Sequence, residues 1–455
     1  MKLTRRDLLT KTGALAGATL TGAALSPTTA SASTLSGDDG IQYKRWEKSY
    51  SGGPVDVEPL EPGLPGKHYQ PVVIPNGRAL PFKIVDGVKV IHMVAEPVAH
   101  EFTPGLEADM WGYNGRINST VIEAVEGERI RIYVTNKLKV PTTVHWHGLY
   151  LPNGMDGVAG VTQPVIRPGE TFKYEWTIRQ FGTFMYHAHY DVMTQEAMGL
   201  TGMFIIHPRN PKPEDRVDRD FVLLMNEYRL EPGTRKVDPN EMTDFNVLTL
   251  NGRSFPGTEP LVVKQNQRVR VRIGNLSAMD HHPFHIHGYR FMITATDGER
   301  IPASAQWPET SVLVAVGQTR EIEFIADAPG DWISHCHMTH HTMTQMGHGL
   351  TNMIDADVRG LMGKVNSAIG GGYMPMGELG MYDMAFMQMD MPENSVPMAG
   401  VPLQYGKGTM GGMFTMFKVR EKLSSYKDPG WYKHPKGTVA SRAARSDMRR
   451  DGIKT

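Results

Sequence analysis

The stretch His335-Cys336-His337-Met338-Thr339-His340-His341-Thr342-Met343-Thr344-Gln345-Met346 constrains this chain more than any other. Cys336 is the only cysteine among 455 residues, and a histidine stands on each side of it. Successive side chains of an extended strand point to opposite faces, so Cys336 would face one way and His335 and His337 the other. His341 follows five residues after Cys336, and Met346 five after that. Two imidazoles, one thiolate and a weak axial thioether are the donors of an electron-transfer blue-copper site. Read as a strand, the stretch lets the cysteine hold one copper ion while its neighbours hold others behind it, with a short covalent route for electrons between them.

Four His-x-His pairs occur: His145/His147, His187/His189, His285/His287 and His335/His337. On strands each pair faces one way, so four pairs can converge on one pocket. Eight imidazoles suffice for three copper ions, and a multi-metal site is what reduces dioxygen by four electrons without releasing partly reduced oxygen. One such pair is a weak signal, because exposed or core-satisfied histidines are common; four, with a cysteine inside the last, are a strong one. Structural zinc sites usually need more thiolates than one. His282 remains free to join Cys336, His341 and Met346.

Short alternating runs such as Val121–Val125 and Arg129–Val134, punctuated by turn residues, predict an all-β sandwich architecture. An internal repeat divides it. Tyr113-Asn114-Gly115-Arg116 leads through 127–134 to Asn136, and Leu250-Asn251-Gly252-Arg253 leads through 267–273 to Asn275. Each copy precedes His-rich strands, which implies two related domains. We expect a leader at 1–32, a Gly/Pro-rich arm at 33–82 lying over a neighbouring surface, a first domain at 83–209, a second at 210–358 and a Met-rich, basic tail at 359–455. The leader carries Thr4-Arg5-Arg6-Asp7-Leu8-Leu9, a short weakly apolar run and Ala30-Ser31-Ala32, the pattern of a twin-arginine export signal. The mature chain would begin near Ser33, in the periplasm or outside the cell. No stretch is long and apolar enough for a membrane span. Net charge is zero, which argues against nucleic acid or an anionic membrane as the main partner.

His145-Trp146-His147-Gly148, His187-Ala188-His189, His282-Pro283-Phe284-His285-Ile286-His287-Gly288, and His335-Cys336-His337 with His341 and Met346 together resemble the four ligand motifs of the multicopper oxidases. The likeness runs from about Tyr113 to Ile354. It implies two cupredoxin-like Greek-key domains and four coppers per functional unit. By the resemblance, His145 and His285 would hold the type 2 copper, and His147, His187, His189, His287, His335 and His337 the type 3 pair. His282, Cys336, His341 and Met346 would hold type 1 copper. Only about one domain's length separates His189 from His282, and the first repeat has no cysteine. This resembles the two-domain, laccase-like subfamily, in which a homotrimer forms each trinuclear cluster between subunits. Asp156, in Asn153-Gly154-Met155-Asp156-Gly157, matches the family carboxylate that relays protons near type 2 copper. A second family carboxylate, between the His-Cys-His triplet and the next ligand histidine, is replaced here by Thr339 and His340.

Eleven methionines lie between Met374 and Met416 among Gly, Pro and Asp. Thioethers are soft ligands for Cu(I), whereas methionine also fills irregular gaps. The segment resembles the Met-rich stretches of copper-tolerance oxidases. The expected function is therefore an exported oxidase coupling one-electron oxidation of a donor, Cu(I) first and phenols second, to reduction of dioxygen to water. A copper nitrite reductase would lack the type 3 pair and carry its blue-copper cysteine in the first domain. A non-enzymatic copper store would depend on the Met-rich segment alone.

Overall fold

The computed structural model describes residues 58–231, 233–342, 364, 367–368, 393–396, 401–408 and 410–454. The twin-arginine leader, the start of the arm, Met346 and most of the Met-rich segment lie outside the described residues.

Alternation of apolar and polar residues builds two β-sandwiches. The strand Arg129–Asn136 buries every second side chain, as its period-2 pattern requires. In the first sandwich one sheet runs Arg78–Ala79, Thr120–Val125, Thr201–His207, Gly182–Ala188, Val144–His147. The other runs Phe82–Val85, Val88–Thr103, Arg129–Asn136, Thr171–Thr177, with Leu106–Tyr113 also paired to Val88–Thr103. Between them lies a core that includes Trp146, Trp176, Tyr186 and Phe204. The second sandwich faces the sheet Val247–Leu250, Arg219–Tyr228, Arg268–Asn275, Thr319–Ile325, Phe291–Thr296, Trp307–Glu309 against Leu261–Lys264, Phe414–Arg420, Gly330–Cys336, His282–Ile286, Ser311–Val314. Its core includes Phe284, Phe291, Cys336 and Phe417. Both sheets in each sandwich mix parallel and antiparallel pairs.

The repeated Asn-Gly turns are structural twins. Asn114 and Gly115, like Asn251 and Gly252, all have positive φ, the conformation of a type I′ turn. Asn136 and Asn275 then perform the same task in each copy. The Asn136 amide donates to the carbonyls of Val140 and Ile166, ahead of His145. The Asn275 amide donates to those of Asp280 and Val314, beside His282.

The described part of the arm is pinned to the first sandwich and bridges to the second. Leu60 N–H donates to Gly127 O and Gly63 N–H to the Glu128 carboxylate. Val73 exchanges backbone bonds with Asp220 and Val222. Glu128 is itself fully buried, 2.6 Å from the equally buried Lys89 ammonium. Between the sandwiches, Val121, Met185, Met203 and Ile205 pack against Val222, Leu224 and Leu276. Beside this apolar seam, Thr183 of the first sandwich bonds Arg272 and Glu321 of the second.

One boundary differs from the sequence reading. The segment 359–455, expected as a tail, supplies Phe414–Arg420, which lies between Leu261–Lys264 and Gly330–Cys336 and is buried along its whole length. Its seven residues follow a Gly/Met-rich stretch, and its membership of the sheet depends on partners far away in sequence. Local composition carries no trace of that pairing. Among the described residues no helix is long and apolar enough to cross a membrane.

Candidate metal centre

Strand alternation sorts the histidines. In His282–Ile286 the residues His282, Phe284 and Ile286 are buried, while His285 turns to the other face. This strand pairs with Gly330–Cys336 so that Phe284 lies opposite Cys336 and His285 opposite His335. Cys336 and His282 therefore share the inner face, and His285 and His335 share the outer one. A short 3-10 turn, Thr339–Thr342, brings His341 back to the inner side.

The result is a buried three-donor cluster. Cys336 Sγ lies 3.6 Å from both His282 Nδ1 and His341 Nδ1, and the two nitrogens are 3.1 Å apart. These atoms are close enough for a single ion to touch all three. The far ring nitrogens already have acceptors: His282 Nε2 sits 2.6 Å from Ser277 Oγ, and His341 Nε2 lies 3.3 Å from the Asp280 carboxylate. A proton on each Nε2 leaves the Nδ1 lone pairs aimed at the sulfur, the tautomer that binds metal. Burial holds both imidazoles below their ordinary pKa, hence neutral, and raises the Cys336 thiol to about 12. An ion entering here must displace that proton, so loading releases acid. One soft thiolate with two imidazoles fits copper better than zinc.

The eight histidines of the His-x-His pairs form two quartets. In the first, His145 and His147 project from Val144–His147, whose Val144 and Trp146 fill the core behind them. The ring of His145 is 5.7, 5.4 and 5.4 Å from those of His147, His187 and His189. In the second, the His285 ring is 4.8, 5.7 and 5.3 Å from those of His287, His335 and His337. Nδ1 donates to a backbone carbonyl in His145 (Asp156 O), His285 (Thr310 O) and His335 (Cys336 O), which leaves each Nε2 as the acceptor nitrogen; that of His335 lies 3.2 Å from His287 Nε2. Burial, reinforced by the neighbouring imidazoles, lowers His147 and His335 to about 4. Among the described residues, ring contacts link histidines within each quartet and none crosses from one quartet to the other. Both quartets suit copper in donor type, and each supplies half of an eight-imidazole set.

Asp156 lies beside the first quartet, its carboxylate 3.4 Å from His145 Nδ1. Gly157 explains the closeness. Its φ is +86°, and a Cβ there would meet Val144 O at 1.7 Å, so only glycine lets this loop press on the histidine strand. Three carboxylates escaped the sequence reading. Glu196, on the short helix Val192–Ala197, lies 2.7 Å from His187 Nδ1. Burial disfavours a charged His187, but the Glu196 bond outweighs it and raises the imidazole. Asp280 and Glu227 flank the three-donor cluster, and with His341 they form a second group able to hold a cation. Burial, then the Asp280 charge, raises Glu227 to about 8. Asp280 is adjacent to a ligand motif and so carried some local signal. Glu227 arrives from a strand more than fifty residues upstream of His282 and carried none.

Two stretches, 95–211 and 230–355, match family profiles described as multicopper oxidase, and together they cover just over half of the chain. A probable nitrite reductase-hydroxylamine oxidoreductase fusion protein of Kuenenia stuttgartiensis is 29% identical over 57% of this chain and 31% of its own length. Copper resistance protein A of Escherichia coli is 26% identical over 43% of this chain and 40% of its own. The chain thus spans about a third to two fifths of the length of these curated relatives. The solved multicopper oxidase mgLAC is 25% identical with a TM-score of 0.54, and the match covers 75% of this chain and 91% of that one. With two matched domains and a His282–Cys336–His341 cluster one residue away from further histidine ligands, the chain belongs to the multicopper oxidases.

Proposed function

We propose that this protein is an exported copper oxidase that takes single electrons from a donor near His341 and delivers four of them, with four protons, to dioxygen to form two waters. The observation that carries this reading is the split of one strand end: Cys336 enters the buried cluster while His335, covalently next to it, belongs to the outer quartet. Copper bound at these sites would supply the one-electron redox chemistry and the dioxygen binding. The chain contributes the rest. Cys336 gives the electron a route of a few covalent bonds to His335 and His337. Asp156, beside His145, is the group positioned to hand over protons. Met346, expected as the axial thioether, lies outside the described residues.

Cu(I) is the donor we favour. Asp280 places a carboxylate beside His341, the Glu227 carboxyl lies with it, and Met279, half-exposed next to them, offers a thioether. A cation suits that corner better than a neutral phenol. The likeness to copper resistance protein A and the Met-rich stretch support the same choice. The twin-arginine leader supports export. The relative named for nitrite reduction suggests a rival, but the chain's sole cysteine stands in the second domain and both quartets are complete.

The test is oxygen uptake by copper-loaded protein given Cu(I) or a phenol, with Cys336→Ser as background because free Cu(I) reacts with oxygen unaided. We expect uptake with Cu(I) well above that background and little with phenol. Uptake with phenol alone would make the protein a laccase. Equal rates for wild type and variant with both donors would sink the oxidase reading in favour of copper storage.

A further inference from the structure

The cluster of His282, Cys336 and His341 accounts for three of the four donors of a type 1 copper centre, and sequence spacing nominates Met346 as the fourth. The geometry points to another residue: Met413 is the axial thioether. This rests on reading the cluster as a type 1 copper centre.

The assignment follows from strand register. Gly330–Cys336 runs antiparallel to Phe414–Arg420, in register from Gly330 opposite Val419 to His335 opposite Phe414. One step further sets Met413 opposite Cys336, where the Cys336 N–H donates to the Met413 carbonyl at 3.0 Å. Directly opposed residues of an antiparallel pair share a face. Met413 therefore lies on the inner face with Cys336 and His282, while Phe414 goes to the outer face, its ring 6.4 Å from that of His335. Met413 is fully buried and belongs to the same apolar cluster as Cys336. Its own N–H donates to the His341 carbonyl at 3.0 Å, and the Gly411 N–H to the Thr342 carbonyl at 2.6 Å. One backbone residue is thus tied to two of the three donor residues, and its side chain is a soft, weak, long-reaching thioether of the kind that site takes.

A consequence concerns the methionine-rich segment. It is no appendage after the metal centre, because the chain leaves the centre at Thr342 and returns to it at Gly411. The methionines between are an insertion within the ligand loop, tethered at both ends beside His341.

The experiment uses the full chain loaded with copper and compares Met413→Leu, Met413→Gln and Met346→Leu by visible absorption, EPR and redox titration of the type 1 centre. Met413→Leu removes a donor from Cu(II) and should raise the reduction potential. Met413→Gln offers a harder amide oxygen, favours Cu(II) and should lower it. Met346→Leu should leave spectrum and potential at the wild-type values. Opposite shifts at one position cannot come from loosened packing, and should the leucine variant fail to fold, the glutamine variant decides by itself. A shift with Met346→Leu while the position-413 variants match wild type would overturn the assignment, as would wild-type behaviour in all three. A copper-loaded wild type without a blue band or type 1 EPR signal is a different failure, since it removes the centre itself.

Discussion

Six of the expected ligand histidines are oriented by the partner of their other nitrogen. Ser277 and Asp280 on the inner face, and carbonyls of Asp156, Thr310 and Cys336 on the outer, take the N–H and turn the second nitrogen towards the neighbouring donors. Glu196 does this for His187 with a full carboxylate at 2.7 Å. We predict that Glu196→Ala lowers copper occupancy of the first quartet, or turnover, by about 10- to 100-fold, measured as metal stoichiometry after dialysis against a chelator. Glu196→Gln, whose amide oxygen still accepts the N–H, should recover most of the loss. All eleven expected histidine and cysteine donors are named by their sequence motifs. Their orienting groups are not, because Glu196, Glu227 and Ser277 acquire meaning only when a helix, a strand and a loop are packed against them.

Strands explain how a ligand set dispersed over two hundred residues is held. The paired Asn-Gly turns and the paired Asn136 and Asn275 were visible as a repeat, and the structure gives each the same bonds. Less legible is the buried ionic layer on Arg268–Asn275 and Thr319–Ile325, where Arg270 and Arg272 meet Asp220, Glu321 and Glu323. Burial works to raise the Glu323 carboxyl, but Arg270 and Arg300 override it and hold the group at about 2, against 4.5 when free. Because the folded value is the lower one, the stabilisation is complete above about pH 4.5 and is lost as pH falls towards 2. It amounts to roughly 3 kcal/mol. Urea unfolding of metal-free protein should therefore show stability falling between those pH values, with a flatter profile for Glu323→Gln. The Arg-x-Arg-x-Arg alternation resembles an ordinary solvated strand face in sequence. Only the second domain's seam with the first buries it.

At the scale of the whole molecule, the two quartets pose the question. Each supplies four imidazoles, and no ring contact joins them within one chain among the described residues. We propose that a neighbouring subunit supplies the second half, in a homotrimer. Light scattering of the copper-loaded protein should give three times the chain mass, and dilution that dissociates it should remove cluster copper while type 1 copper stays. A monomer retaining all its copper would sink the trimer.

Motif and spacing were enough to determine that this chain is an all-β, two-domain copper protein, because metal ligation demands particular donors and strand alternation demands particular intervals. Those constraints are local and survive in one dimension. Tertiary structure alone decided what completes each site: that Phe414–Arg420 is an inner strand, that Glu196 and Asp280 aim the imidazoles, and that Met413 stands across from Cys336. These depend on register between segments far apart in the chain, and a pairing of that kind leaves no periodicity in the sequence of either partner.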